Sequence, residues 1–346
     1  MRNCGDQNWE ELNYYLYKQD IQRLAAMGVK LYNFSIPWTR ILPFVLPASP
    51  AGMQPVVRLL HFDSPWMFVS SDNSSADPII VVYNGGYQKE TFVEAFVNYV
   101  KIALSHYANR VPVWVTFNEP YLYSFNFAGA HNVAQAHAQV YPFYHENCKV
   151  PVKYPSNPRN IEAASRFQET QLEIFANPIF LGQQYPESVL KTLPGAKPLG
   201  KQDLSYIGNT FDFFGTDPYT ATVVSLPARG IDDCASNDST DNSLWPLCVV
   251  QEPRNMYRWN IGYRAQSYVY IAPTYLRVFL SYLWNTFRHR VFVTEFGFPV
   301  FGKADKSGLS DQLFDTQRSL YYLSIPSEIL KTIHEDEVHV IGALAW

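Results

Sequence analysis

The stretch Thr116-Phe117-Asn118-Glu119-Pro120 closes an apolar run rich in β-branched and aromatic residues. Such a run is typical of a buried strand. Pro120 cannot continue the strand, because it lacks a backbone N–H. Asn118 and Glu119 are therefore expected where the strand meets a loop. In an α/β barrel this position lies on the C-terminal face, where catalytic groups stand.

A second stretch, residues 291–299, repeats the pattern. A β-branched strand ends in the carboxylate Glu295, and Gly297 and Pro299 follow. Glycoside hydrolysis uses two carboxyl groups, of which one protonates the leaving oxygen and the other attacks the anomeric carbon or activates water. Two strand-end glutamates on one barrel face therefore predict this chemistry for Glu119 and Glu295.

The rest of the chain alternates helical and strand patterns, which predicts an α/β fold with one barrel. No linker divides it, so residues 1–346 are expected to form a single domain. Helices are predicted over residues 11–27, 91–107, 131–145, 161–176, 272–289 and 319–334, and strands over 29–36, 55–61, 111–119, 211–219 (with its loop), 291–295 and 338–346. Residues 221–268 form a long polar insertion, and a loop of that size is usually functional or mobile.

Composition excludes several classes of protein. The net charge is -4 and no Lys/Arg-rich run or zinc-finger spacing occurs, which argues against nucleic acid as a partner. No apolar run approaches a membrane span, and the N-terminus has no signal-peptide core. The aromatic share of 16% fits either stacking on sugar rings or a large aromatic core.

The four cysteines are Cys4, Cys148, Cys234 and Cys248, and none forms a CxxC pair. Cys234 and Cys248 bracket a loop of Ser, Asn, Asp and Pro. A loop-closing disulfide and two unrelated free thiols are equally consistent with this spacing. The disulfide would indicate an oxidising compartment.

Five motifs in this order along the chain resemble those of glycoside hydrolase family one, the β-glucosidase family. They are residues 34–41, 60–65, 116–120, 212–220 and 294–297. The resemblance implies a (β/α)8 TIM barrel and a retaining β-glycosidase that forms a covalent glycosyl-enzyme. It also implies a small β-glucoside or oligosaccharide as substrate, with terminal β-D-glucosyl residues hydrolysed, and neither metal nor cofactor.

The resemblance assigns the reacting groups. Glu119 would be the general acid/base, and its pKa would have to be raised for it to carry a proton near neutrality. Glu295 would be the nucleophile, needed as a carboxylate. Tyr219 would donate a hydrogen bond to Glu295, and Asn118 would hold the sugar 2-OH.

His61 and Trp346 complete the expected sugar site. By the resemblance, His61 binds a sugar hydroxyl and Trp346 stacks under the ring. From the residues alone, His61 also fits a histidine satisfied at the end of its strand. Trp346, the last residue given, also fits an aromatic at a frayed terminus.

The chain departs from the family pattern at several places. The first strand is expected to be missing, as are the helix between the second and third strands and most of the fifth strand, near residues 149–154. Asn33 follows Tyr32 where the family usually has an arginine beside the nucleophile, so that charge is expected to be missing. Asp217 replaces the sixth-strand asparagine. These departures predict a barrel that is incomplete at both ends, and leave open an impaired or inactive remnant that only binds sugar.

Overall fold

The computed structural model describes residues 12–35, 54–61, 65, 68, 86–89, 91–107, 111–120, 127–140, 158–193, 195–236, 242–265, 268–306 and 308–346. Helices are α1 (Leu12–Ala26), α2 (Thr91–Tyr107), α3 (Phe127–Val140), α4 (Pro158–Gln168), α5 (Glu187–Thr192), α6 (Lys201–Ile207), α7 (Ile231–Ala235), α8 (Pro273–Phe287), α9 (Leu309–Leu313) and α10 (Thr316–His334). Strands are β1 (Leu31–Ser35), β2 (Gln54–Leu60), β3 (Val113–Phe117), β4 (Phe214–Thr216), β5 (Val223–Ser225), β6 (Val250–Glu252), β7 (Tyr263–Arg264), β8 (Tyr270–Ile271), β9 (Val291–Phe296) and β10 (Val340–Ala345).

Two parallel three-stranded sheets carry the fold, in the orders β1-β2-β3 and β10-β9-β4. In the first sheet, β1 and β2 are neighbours, with Leu31 opposite Gln54 and Ser35 opposite Arg58. The two strands therefore pair in parallel, although a crossover helix was predicted to be missing between them. That connection, residues 36–53, lies outside the described residues, as do the region of the fifth strand and Cys4 and Cys148.

An apolar cluster joins the two sheets. Its buried members are Val56, Val115, Phe213, Phe292 and Leu344, and they come from both sheets. The two sheets therefore face each other across a shared interior, as the strands of a barrel do. Their other faces pack on the helices in a second, larger core, and β2, β3, β4 and β9 are buried on both sides.

Local sequence signals set several helix ends. Gly28 adopts φ 84°, and its N–H donates to the carbonyl of Ala25 at 2.9 Å. A residue without Cβ tolerates this left-handed turn, so the chain reverses from α1 into β1 as predicted. The helix predicted to end at Ala176 continues to Leu181. After α4 it runs through Glu169–Glu173, Ile174–Ala176 and Asn177–Leu181, of which the first and the third are π-helical. Pro178 lies in the third segment.

The insertion over residues 221–268 is built from short elements. Strands β5 and β6 pair antiparallel within it, and β7 pairs antiparallel with β8, which lies just after it. A disulfide joins Cys234 to Cys248, which decides between the two alternatives left open by the spacing. Within the described ranges, no helix is long and apolar enough to cross a membrane.

A buried arginine fastens this insertion to the body of the protein. Arg166 of α4 donates to the carbonyls of Pro246 at 2.8 Å, Leu247 at 2.9 Å and Ser188 at 3.2 Å. Burying a guanidinium costs free energy unless its N–H groups donate to hydrogen-bond acceptors. The three carbonyls supply these partners, so Arg166 holds the disulfide-bridged loop against α4.

Candidate active site

Polar side chains from both sheets meet at the carboxyl ends of the strands. Asn118 and Glu119 follow β3, Asp217 follows β4, and Glu295 lies near the end of β9. Arg58 reaches them from β2, and its side chain is fully buried. The carboxyl ends of parallel strands lie at one edge of a sheet, which is why residues so far apart in sequence come together.

Arg58 is the centre of this group. Its Nη2 lies 3.0 Å from Oε1 of Glu295 and donates to the backbone carbonyl of Thr294 at 3.0 Å. Its two Nη atoms approach the two carboxylate oxygens of Asp217, each at 3.3 Å, and Nη1 also donates to Oδ1 of Asn118. A cation therefore stands directly beside Glu295.

This contact corrects the prediction that the charge beside the nucleophile is missing because position 33 is asparagine. Asn33 pairs with Val56, whereas Arg58 lies two residue pairs further along, opposite Ser35. Successive side chains alternate between the faces of a strand, so Asn33, Ser35 and Arg58 share the interior face. A long side chain on the adjoining strand thus supplies the guanidinium. The Oδ1 atom of Asn33 is buried and accepts no hydrogen bond from the described residues.

Tyr219 contacts the same glutamate from the other side. Its hydroxyl donates to Oε2 of Glu295 at 2.5 Å, which is the hydrogen bond that the sequence predicted. The ring lies edge-on to Tyr268 of the insertion, with 6.5 Å between the centroids. The two carboxylate oxygens of Glu295 thus have different partners, Arg58 at one and Tyr219 at the other.

Glu119 lies in a different environment. Its backbone adopts φ 41°, a left-handed conformation that is uncommon for a residue with a side chain and often marks functional sites. Burial raises the pKa of Glu119 to about 7, with repulsion from Asp217 and Glu295 adding to the effect and Arg58 opposing it. The carboxyl group therefore carries a proton over much of the range up to neutral pH.

The two glutamates differ in which form their surroundings favour. Burial and the charge of Asp217 also raise the pKa of Glu295, while Arg58 and the Tyr219 hydroxyl act to lower it. Because Glu295 has both a cation and a hydroxyl donor at its oxygens, negative charge is best accommodated there. The Tyr219 hydroxyl distinguishes the pair, because Arg58 lowers the pKa of both glutamates whereas Tyr219 lowers that of Glu295.

The rings of His61 and Trp346 lie together at the edge of this candidate site. Their ring centroids are 5.5 Å apart. Burial, and next the cation of Arg58, lower the pKa of His61 to about 4, so the imidazole is neutral at pH 7. Trp346 is 64% exposed, yet its backbone is held by hydrogen bonds with Phe296 at 2.8 Å and Tyr322 at 2.7 Å.

A close backbone approach fixes the position of Trp346. A Cβ atom built on Gly297 would lie 2.7 Å from the carbonyl oxygen of Trp346. Real Cβ atoms do not approach a backbone atom so closely, so a glycine is needed at this point after β9. Gly297 thereby couples the strand that carries Glu295 to the residue expected to lie under the sugar.

Arg58 lies outside the five motifs, and Thr294 belongs to the last of them without a role of its own. Thr294 donates to Oδ1 of Asp217 at 2.7 Å and precedes Glu295 on β9. A lone arginine inside an otherwise apolar strand was the available signal, because a buried charge requires a partner. Across the described ranges, no three His, Cys, Asp or Glu side chains gather in a way that could hold a metal ion.

The chain also matches a family of known proteins over nearly its whole length. The sequence model described as "Glycosyl hydrolase family 1" matches residues 5–134 and 124–346. The chain belongs to glycosyl hydrolase family 1. The family identification made from the five motifs is therefore confirmed.

Individual proteins that resemble this chain are β-glucosidases. Beta-glucosidase 1B of Phanerodontia chrysosporium is 27% identical over 402 residues, which span 96% of this chain and 68% of the relative. A family 1 β-glucosidase from Humicola insolens, solved with glucose, has a TM-score of 0.78 at 24% identity, covering 96% of this chain and 78% of that one. A rice β-glucosidase mutant in a covalent complex with Glc has a TM-score of 0.79 at 24% identity, covering 96% and 79%. This family 1 chain therefore has the fold of these barrel proteins and is shorter than they are.

Proposed function

We propose that this family 1 protein is a retaining β-glycosidase of the β-glucosidase type. Glu119 is the general acid/base and Glu295 the nucleophile. Family membership supports a β-glycosidase. The observation that carries the proposal is the difference between the partners of the two glutamates: Glu295 has Arg58 at 3.0 Å and accepts a hydrogen bond from Tyr219 at 2.5 Å. Burial raises the pKa of both carboxyl groups, and the Tyr219 hydroxyl opposes that rise at Glu295. Two carboxyl groups in such unequal environments divide acid and nucleophile roles.

The reaction proceeds in two displacements. Glu119 gives its proton to the glycosidic oxygen while Oε of Glu295 attacks the anomeric carbon, so the C–O bond to the leaving group breaks and a glycosyl ester forms. Glu119, now a carboxylate, removes a proton from water, which attacks the anomeric carbon and releases Glu295. Two inversions give net retention. The covalent complex of the rice relative is the kind of intermediate this mechanism requires, in that protein.

Asn118 would contact the sugar. Its Oδ1 accepts a hydrogen bond from Arg58, so its Nδ2 is the amide atom that would donate to a ligand. A donor here would hold the 2-OH, a contact that strengthens in the transition state. The neutral His61 would bind a second hydroxyl, and the exposed ring of Trp346 would stack on the sugar face. The substrate is then a small β-glucoside or the end of an oligosaccharide.

The first test is hydrolysis of an aryl β-glucoside by the purified chain, beside Glu119→Ala and Glu295→Ala. Circular dichroism on the same samples reports whether each variant folds. Activity in the unchanged chain and its loss in both variants is the expected result. A folded chain without activity would instead favour an inactive remnant that binds sugar, which calorimetric titration with glucose would detect.

The nucleophile has a test of its own. Glu295→Gly removes the attacking carboxylate and leaves a space beside the anomeric carbon. Azide should then partly restore turnover and give a glycosyl azide of inverted configuration, seen by NMR. A folded variant that azide does not rescue would contradict the role of Glu295.

A further inference from the structure

Arg58 and Asp217 form a pair that the strand-end motifs do not account for. Arg58 lies in the middle of β2, fully buried, and Asp217 is 7% exposed just after β4. Each Nη atom of the guanidinium lies 3.3 Å from a different carboxylate oxygen. Two parallel contacts of this kind fix the plane of a guanidinium as well as its position. The pair therefore fixes the position of the guanidinium relative to its other partners.

The guanidinium also contacts groups of the proposed reaction. Nη2 forms an ion pair with Oε1 of Glu295 at 3.0 Å, and Nη1 donates to Oδ1 of Asn118. Asp217 is itself held, because the hydroxyl of Thr294 donates to its Oδ1 at 2.7 Å. The backbone carbonyl of Thr294 accepts from Nη2 at 3.0 Å, which closes the network.

The network also joins the two sheets. Arg58 belongs to the sheet β1-β2-β3, whereas Asp217, Thr294 and Glu295 belong to or directly follow strands of the sheet β10-β9-β4. Asn118 follows β3 of the first sheet. A movement of one sheet against the other would therefore displace Arg58 from Glu295.

We propose that Arg58 and Asp217 act as one positioning pair, in which Asp217 fixes the guanidinium so that it aligns both Glu295 and Asn118 for the reaction. This inference rests on the proposed function for its catalytic consequence. It adds to that function a cation on β2, where the sequence predicted no charge beside the nucleophile. Neither residue reacts with the substrate; each acts through the groups it orients.

The two charges of the pair act on the glutamates in opposite directions. The cation of Arg58 lowers the pKa of both Glu119 and Glu295, whereas the charge of Asp217 raises both. Removal of one close charge is expected to shift the pKa of a neighbouring carboxyl group by about one to three units.

The test uses the full chain labelled with 13C at the glutamate side-chain carboxyl carbon. The signals of Glu119 and Glu295 are assigned with Glu119→Gln and Glu295→Gln and titrated by NMR. Arg58→Gln should raise both pKa values, Asp217→Asn should lower both, and the double variant should bring them back toward the original. Arg166→Gln, which removes another buried arginine, is the matched control and should leave both titrations unchanged.

Unmoved titrations, or shifts of the same sign in both single variants, would overturn the proposal. If Arg58→Gln does not fold, Asp217→Asn and the double variant carry the test. The pH dependence of aryl glucoside hydrolysis is measured on the same proteins and should move in the same directions. A wild-type chain without hydrolysis would refute the proposed function, yet the titrations would still decide whether the pair sets the charge of the site.

Discussion

Replacing Tyr219 by phenylalanine removes one hydroxyl, and its consequence can be worked out from the structure. That hydroxyl donates to Oε2 of Glu295 at 2.5 Å and is one of the groups that lower the pKa of this glutamate. A hydrogen bond to a charged group contributes about 1.5–3 kcal/mol. Because one pKa unit corresponds to about 1.4 kcal/mol, the pKa of Glu295 should rise by about one to two pH units.

The rise should appear in the pH profile of kcat/KM for an aryl β-glucoside. The acid limb of that profile reports ionisation of the nucleophile in the free enzyme, so it should move to higher pH by the same amount. At a pH below the limb, activity falls about tenfold for each pH unit of the shift. The phenyl ring still fills the space, so the fold should be unchanged by circular dichroism.

Tyr185→Phe is the matched control. Tyr185 is buried, whereas Tyr219 is half-buried, and the Tyr185 hydroxyl lies 3.2 Å from Nδ1 of His131. The control should keep the wild-type profile. An acid limb that Tyr219→Phe leaves in place, or that both variants move equally, would refute the reasoning from the Tyr219 contact.

Three further predictions concern stability and substrate binding. For Glu119, the folded state keeps a proton that the unfolded chain loses, so stability should fall as pH rises from about 4.5 to about 7. Glu119→Gln should therefore add about 3 kcal/mol to the free energy of unfolding at pH 8 and little at pH 4.5, measured with urea; an equal gain at both pH values would contradict this. Replacing Cys234 and Cys248 by serine opens a loop with a sequence separation of 14 and should cost about 3 kcal/mol in the same assay; unchanged stability would count against the disulfide. Gly297→Ala places a Cβ 2.7 Å from the Trp346 carbonyl and should raise KM more than it lowers kcat, whereas an unchanged KM would argue against sugar stacking on Trp346.

The parts of the site that were predictable from sequence are those with local signals. Pro120 and Gly297 follow their strands closely, so Glu119 and Glu295 could be placed at strand ends without knowledge of the fold. The structure places both there, and Tyr219 lies on Glu295 as expected. A breaker after a hydrophobic run acts through the backbone of its own neighbours, and that is why it can be detected in sequence.

The role of Arg58 could not be predicted in this way. Its partners Asp217 and Glu295 are 159 and 237 positions away, and the contacts depend on how the strands are paired. A shift of one residue in the register would turn Arg58 to the other face of the sheet. The motif comparison drew attention to Asn33 and suggested a missing charge, because it compares positions along a chain rather than positions in space.

The observed boundaries of one helix differ from the predicted ones for a related reason. The helix predicted to begin at His131 begins at Phe127, where small residues give no clear periodicity. Phe127 is buried against Tyr185, with 5.3 Å between the ring centroids in an edge-on arrangement. Packing between distant segments therefore extends the helix beyond what its own sequence favours.

The pairing of Arg58 with Asp217 has a consequence for how this site could have arisen. Replacing either residue alone leaves the other as a buried charge with one charged partner fewer, which is destabilising. An ancestral site with neutral residues at both positions would thus reach the present one most readily if the two substitutions became fixed close together. Across related sequences, positions 58 and 217 should accordingly change as a pair, and Asn33 should accompany that pair, since one guanidinium beside Glu295 makes a second one on β1 unnecessary.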